Sequence, residues 1–262
     1  MTTVVSPDGT VLACSVTGSG PAVVLVDGAL CRRAVGPGAA IAEQLAEHHT
    51  VWTYDRRGRG ESGDTAPFAV KREIEDLAAV IAAAGGSARV LGVSSGAALA
   101  LRAAAAGAGI SRLAVYEPPF STGEEQGERF RRYVAELTAA LAEGRRGDAV
   151  AALMVYAGAP AELVDGMRGA PLWPLFEAVA PTLAYDAAAL GGRTGAAVPV
   201  DLLATVAVPT LVLDGGASPQ TLRAPARAVA AAVPGARYRT LDGQTHEVAA
   251  EVLAPELLAF YA

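Results

Sequence analysis

Ala88-Arg89-Val90-Leu91-Gly92-Val93-Ser94-Ser95-Gly96-Ala97-Ala98 decides how the rest of this chain is read. A short β-forming run at 88–91 leads at once into Gly92-Val93-Ser94-Ser95-Gly96, and an alanine-rich, helix-favouring segment follows at 96–106. The pattern is G-x-S-x-G placed at a strand-to-helix turn. A turn that tight forces the serine into a strained backbone conformation at the end of the strand. It also sets the hydroxyl over a helix N-terminus, where developing negative charge is favoured. Ser94 is therefore the candidate nucleophile.

Working outward, strand and helix signals alternate. Towards the N-terminus, Thr2–Val5 and residues 10–16 flank the turn signature Ser6-Pro7-Asp8-Gly9 and predict a hairpin. Ala22–Val26 is a continuous apolar run, as in a strand buried on both faces. Residues 41–47 read as the end of a helix, 51–54 as a strand and 70–84 as a helix with Ile74, Leu77, Ala78 and Ile81 on one face. Towards the C-terminus the predicted elements are a strand at 113–116, a strand at 210–213, a helix at 219–232, a strand at 236–241 and a helix at 247–261. Such alternation predicts an α/β fold with a mostly parallel, doubly wound sheet.

Between residues 119 and 200 the alternation stops. This divides the chain into a core at 1–118 and 201–262 and a helical cap, or lid, at 119–200. The cap shows one amphipathic helix, with Phe130, Val134, Leu137 and Leu141 in a stripe and Glu128, Arg131, Arg132 and Glu136 off it. Beyond it lie Met154, Tyr156, Trp173 and Phe176, candidate substrate contacts beside the sheet.

The 262 residues are 52% hydrophobic and 18% charged, with a net charge of −6. This excludes a disordered chain and suits one large domain or a domain with an insertion. It argues against nucleic acid and against anionic membrane as partners, since no basic stripe is available. Cys14 and Cys31 are too few for a disulfide framework and read as reduced, packed thiols. Residues 1–20 lack a signal-peptide pattern and no apolar run reaches 18 residues, so a soluble cytoplasmic protein is expected. Gly58-Arg59-Gly60-Glu61-Ser62-Gly63 matches G-x-G-x-x-G after a strand, but Asp64 to Pro67 follow where a dinucleotide-binding motif needs a helix. No cluster of Cys, His and Asp has metal-ligand spacing, so neither a metal nor a cofactor is expected.

A serine nucleophile needs a base. Of three histidines, His48 and His49 are adjacent and read as a solvated connection ahead of a strand. His246 lies in the polar loop Gly243-Gln244-Thr245-His246-Glu247 after the last strand and is the candidate base.

Together the Ser94 turn, the segment Asp55-Arg56-Arg57-Gly58-Arg59-Gly60-Glu61-Ser62, the inserted cap and the late histidine resemble the α/β-hydrolases over nearly the whole chain. The resemblance implies an oxyanion hole made by the backbone N–H groups of Ala29 and Ser95, with Asp27-Gly28 standing where many relatives have His-Gly. It also implies an acid that orients the histidine. The commoner acid position, after the seventh strand, falls on Ser218, with Asp214 nearby. The rarer position, after the sixth strand, falls on Glu117. Glu117 is the favoured acid and Asp214 the alternative. The Glu variant, Asp-Gly after the third strand and Trp173 in the cap also resemble the fungal zearalenone lactonases, in which a cap tryptophan contacts substrate. The expected activity is cofactor-free hydrolysis of a carboxylic ester or lactone of a fairly apolar small molecule through an acyl-enzyme. The alternatives are a thioesterase or cyclase of secondary metabolism and a non-enzymatic small-molecule receptor.

Overall fold

The computed structural model describes residues 2–262. Its centre is an eight-stranded sheet formed by β1 (Thr2–Val5), β2 (Val11–Thr17), β3 (Ala22–Val26), β4 (Thr50–Tyr54), β5 (Ala88–Val93), β6 (Ile110–Tyr116), β7 (Thr210–Gly215) and β8 (Arg237–Leu241). The spatial order is β1-β2-β4-β3-β5-β6-β7-β8. Only β2 runs antiparallel to its neighbours; the other pairings are parallel. The parallel strands alternate with α1 (Gly38–Leu45), α2 (Val70–Ala83), α3 (Ser95–Ala105), α10 (Gln220–Ala232) and α11 (Ala250–Tyr261).

Successive residues of a strand point to opposite faces, and the two cores follow from this. In β3, Val24 and Val26 pack with Leu77 and Val80 of α2, Leu99 of α3 and Val229 of α10. Val23 and Leu25 pack on the other face with Ile41 and Leu45 of α1 and Leu253 and Leu257 of α11. Burial on both faces is why β3 is apolar throughout rather than alternating.

The connection from β6 to β7 is entirely helical: α4 (Glu124–Ala142), α5 (Arg146–Tyr156), α6 (Ala161–Met167), α7 (Trp173–Val179), α8 (Leu183–Ala189) and α9 (Val200–Leu203), with two short 3-10 turns. The buried stripe of α4 is Phe130, Tyr133, Leu137 and Ala140, while Val134 and Leu141 lie half-buried at its flank. The 3.6-residue period is the expected one; its centre is rotated because α4 packs against both α5 and α8.

His49 differs from the expected solvated connection. It is buried, with its ring edge-on to Tyr261 at 6.0 Å, because α11 covers the end of α1. No helix begins within residues 58–63. Cys14 and Cys31 are free thiols. Among the described residues no helix is long and apolar enough to cross a membrane.

Candidate active site

Because β3 to β8 run parallel, their C-terminal ends lie on one edge of the sheet, and open α/β sheets bind ligands there. The turns after β3, β5, β6 and β8 carry Ala29, Ser94, Glu117 and His246 to that edge, and Asp214 stands at the end of β7 itself.

Ser94 sits between β5 and α3 at φ 56 and ψ −126, a positive φ that a non-glycine residue holds only when its surroundings impose it. The imposition is visible. A Cβ on Gly92 would lie 2.7 Å from the Cα of Ala97, and one on Gly96 would strike the Val26 carbonyl oxygen. Only glycine at both positions lets α3 start this close to β5 and β3.

The loop after β3 approaches from one side, and a Cβ on Gly28 would meet the Ser94 Cβ at 2.9 Å. Arg59 Nη1 donates to the Gly28 carbonyl at 2.6 Å and Arg56 Nη1 to the Asp27 carbonyl at 3.3 Å. With those carbonyls pinned, the backbone N–H groups of Ala29 and Ser95 have no acceptor among the described residues. Asp55 organises the arginine-rich turn by accepting from the backbone N–H of Arg33 at 2.7 Å and of Glu61 at 3.0 Å. The segment that resembles a dinucleotide motif thus acts as a clamp on the loop beside Ser94.

Glu117 follows β6 directly, fully buried, at φ 46. Its Oε1 accepts the Gly215 N–H at 2.8 Å, and its Oε2 lies 2.7 Å from His246 Nδ1. A carboxylate only accepts, so the imidazole proton sits on Nδ1 and Nε2 is left as the basic nitrogen. The His246 loop is tied down by the Tyr116 hydroxyl, which donates to the Thr245 carbonyl, and by the Ala217 N–H, which donates to the Gln244 carbonyl at 2.9 Å.

Asp214 is also fully buried but serves other partners. Its Oδ2 accepts from the Tyr238 hydroxyl at 2.6 Å and from Arg223 Nε at 3.1 Å. Ser218, at the commoner acid position, makes no side-chain hydrogen bond.

Ser94, Ser95, Ala29 and His246 line one cavity of about 400 Å³, walled on the side of α4 and α5 by Phe130, Tyr133 and Tyr156. Ser94 and His246 both face it, with no hydrogen bond between them. Of the four cap residues singled out from sequence, only Tyr156 reaches the cavity. Met154 and Phe176 pack into the helical core, and Trp173 is 4% exposed with its Nε1 donating to Glu177 at 3.0 Å.

A sequence profile of the alpha/beta hydrolase family matches residues 29–259. The chain belongs to that family. This α/β hydrolase is 52% identical to an alpha/beta hydrolase from Sphaerobacter thermophilus, each covering 100% of the other, with a TM-score of 0.89. It shares its fold with an enol-lactonase from Burkholderia xenovorans, at 21% identity, 99% coverage of each chain and a TM-score of 0.73. An esterase from Rhodococcus sp. is similar in fold at 23% identity, with 99% of this chain and 97% of that one covered and a TM-score of 0.73. The search of curated proteins gives no match.

One part of this α/β hydrolase's site was not visible in the sequence. Asp186 of α8 is buried at the cavity wall, where its Oδ1 accepts from Arg56 at 2.7 Å and from Ser95 Oγ at 2.8 Å. Its Oδ2 accepts from Arg59 at 2.7 Å. Burial would raise its pKa, but Arg59 and Arg56 hold it below the usual carboxylate value. Asp186 thereby ties α8 to the clamp and to the residue following Ser94.

Proposed function

We propose that this protein hydrolyses a carboxylic ester or lactone through an acyl-enzyme on Ser94. The observation that carries the reading is the 2.7 Å contact of Glu117 with His246 Nδ1, in an imidazole that shares the Ser94 cavity. His246 Nε2 takes the Ser94 hydroxyl proton as Oγ attacks the carbonyl carbon. The tetrahedral oxygen collects negative charge, which the Ala29 and Ser95 amides stabilise. Glu117 fixes the tautomer and stabilises the imidazolium. Collapse breaks the bond to the alcohol oxygen, which leaves with the proton from His246. Water, deprotonated by the same nitrogen, then releases the acid and restores Ser94.

Positions 130, 153, 187, 190 and 222 give the cavity a mainly apolar wall, which supports a substrate with a sizeable apolar body. The Trp173 contact that the narrower lactonase resemblance implies has no support here, since Trp173 is packed among the cap helices. The helices from 119 to 200 act as a cap whose α4 and α5 residues close over the acyl or lactone body.

The test is a panel of short esters, macrolactones and thioesters, read for steady-state turnover and for a pre-steady-state burst of alcohol. Ester or lactone turnover with a burst supports the reading. A preference for thioesters favours the thioesterase alternative, and binding with no turnover of any substrate favours a receptor.

A further inference from the structure

The polar groups in the cavity wall are unevenly committed. Asp186 is saturated by two arginines and Ser95, so it offers a ligand no free oxygen. Gln126 is engaged through its Oε1 with the Thr122 N–H and through its Nε2 with the Thr221 carbonyl. Arg129 is different. It is the one lysine or arginine lining the cavity among the described residues, and it forms no ion pair. One of its nitrogens, Nη2, donates to the Tyr156 carbonyl at 3.3 Å; no other hydrogen bond engages the guanidinium.

A guanidinium has five N–H donors in a planar fork, and with one of them on the Tyr156 carbonyl most are left free for a ligand in the cavity. Two phenols stand beside it: Tyr133 and Tyr156 are stacked with centroids 4.9 Å apart, and both line the cavity. Three donor-bearing side chains therefore converge on a cavity whose only fixed carboxylate is already neutralised. Planar donors of this kind match a carboxylate.

We infer that Arg129, flanked by Tyr133 and Tyr156, selects esters or lactones that carry a carboxylate in addition to the scissile bond. The inference rests on the hydrolase reading for the position of the scissile bond and refines the apolar-substrate expectation. The apolar body lies along Phe130, Leu153 and Leu190, and the charged end meets Arg129. Because the guanidinium takes no part in the bonds made and broken, it binds ground state and transition state alike, and its loss raises KM more than it lowers kcat.

The experiment compares kcat/KM for ethyl hemiesters of glutaric and adipic acid with that for ethyl valerate and hexanoate. A second arm places the carboxylate on the alcohol side, with acetoxybutyrate against butyl acetate. Wild type should favour the acid in at least one arm. Arg129→Gln should lower that acid-to-neutral ratio by roughly tenfold to a hundredfold through KM, the range for a charged hydrogen bond, and Arg129→Lys should restore part of it. A wild-type preference for the neutral ester in both arms, or a ratio unchanged in Arg129→Gln, overturns the inference. Calorimetric binding of glutarate and adipate to wild type and to Arg129→Gln separates this from the reaction itself. If no ester is cleaved but diacid binding is lost in Arg129→Gln, the hydrolase reading fails and Arg129 as a carboxylate site stands. If binding is absent or equal in both, the Arg129 site fails.

Discussion

Glu117 Oε2 lies 2.7 Å from His246 Nδ1, although the two residues are 129 positions apart and leave different strands. The same carboxylate accepts the Gly215 N–H at 2.8 Å, so it is fixed from both sides before any substrate arrives. Glu117→Gln keeps the shape but puts an amide where the imidazolium needs a carboxylate. Its kcat should fall by about 10³–10⁴-fold, the scale known for an acid-to-amide change in a serine protease, with thermal unfolding little changed. Asp214→Asn should do the reverse. It loosens the contacts to Tyr238 and Arg223 and lowers Tm, while kcat stays within a few-fold of wild type. Steady-state kinetics and thermal melts on the two variants check this.

Trp173→Ala should behave as a packing variant. The indole is 4% exposed, hydrogen-bonded to Glu177 and covered by Arg168 at 5.5 Å, with no face on the cavity. Removing it should cost ~3 kcal/mol of stability or more and leave the ratio of kcat/KM between a bulky and a short ester unchanged. Tyr133→Ala, which does line the cavity, should shift that ratio against the bulky ester. Melts and a two-substrate comparison distinguish the two.

Asp27 is expected to make stability fall with rising pH. Burial pushes its carboxyl up from 3.8 to about 6, only partly opposed by Arg59 and Arg56. Between those values the folded chain holds a proton that the unfolded chain has released. The contribution is therefore favourable at the acid end of the window and is lost as pH rises through about 6. A shift of this size corresponds to ~3 kcal/mol. Asp27→Asn, which cannot ionise, should be more stable than wild type at pH 7–8, and the gain should shrink towards pH 4. Denaturant titrations of both proteins across that range read it; a gain that does not vary with pH would show that the carboxyl carries no such cost.

The sequence was most legible where the determinants are local. The Ser94 turn is specified by Gly92 and Gly96 within a few residues, and the strands and helices around it follow from period and turn signals. Glu117 was reachable only by combining its strand-end place with a family resemblance, because its partner His246 is remote in sequence. Asp186 and Arg129 were not legible at all. Asp186 reads as one polar residue in an alanine-rich helix, and its meaning comes from Arg56 and Arg59, 130 and 127 positions away. Arg129 reads as part of the charged face of α4, beside Arg131 and Arg132. Only the rotation of the helix, with Tyr133 rather than Val134 at the centre of its buried stripe, turns it to the cavity. Trp173 shows the converse. An aromatic residue in a cap can serve packing or substrate, and only the cap's tertiary arrangement decides which.

Active-site labelling tests most directly whether Ser94 is the nucleophile of this site. The protein is treated with a fluorophosphonate, and the adduct is located by intact mass and peptide mapping. A single adduct on Ser94, abolished in Ser94→Ala together with at least about 10³-fold of kcat in a variant that melts like wild type, is the predicted result. Undiminished labelling or ester turnover in Ser94→Ala would contradict it.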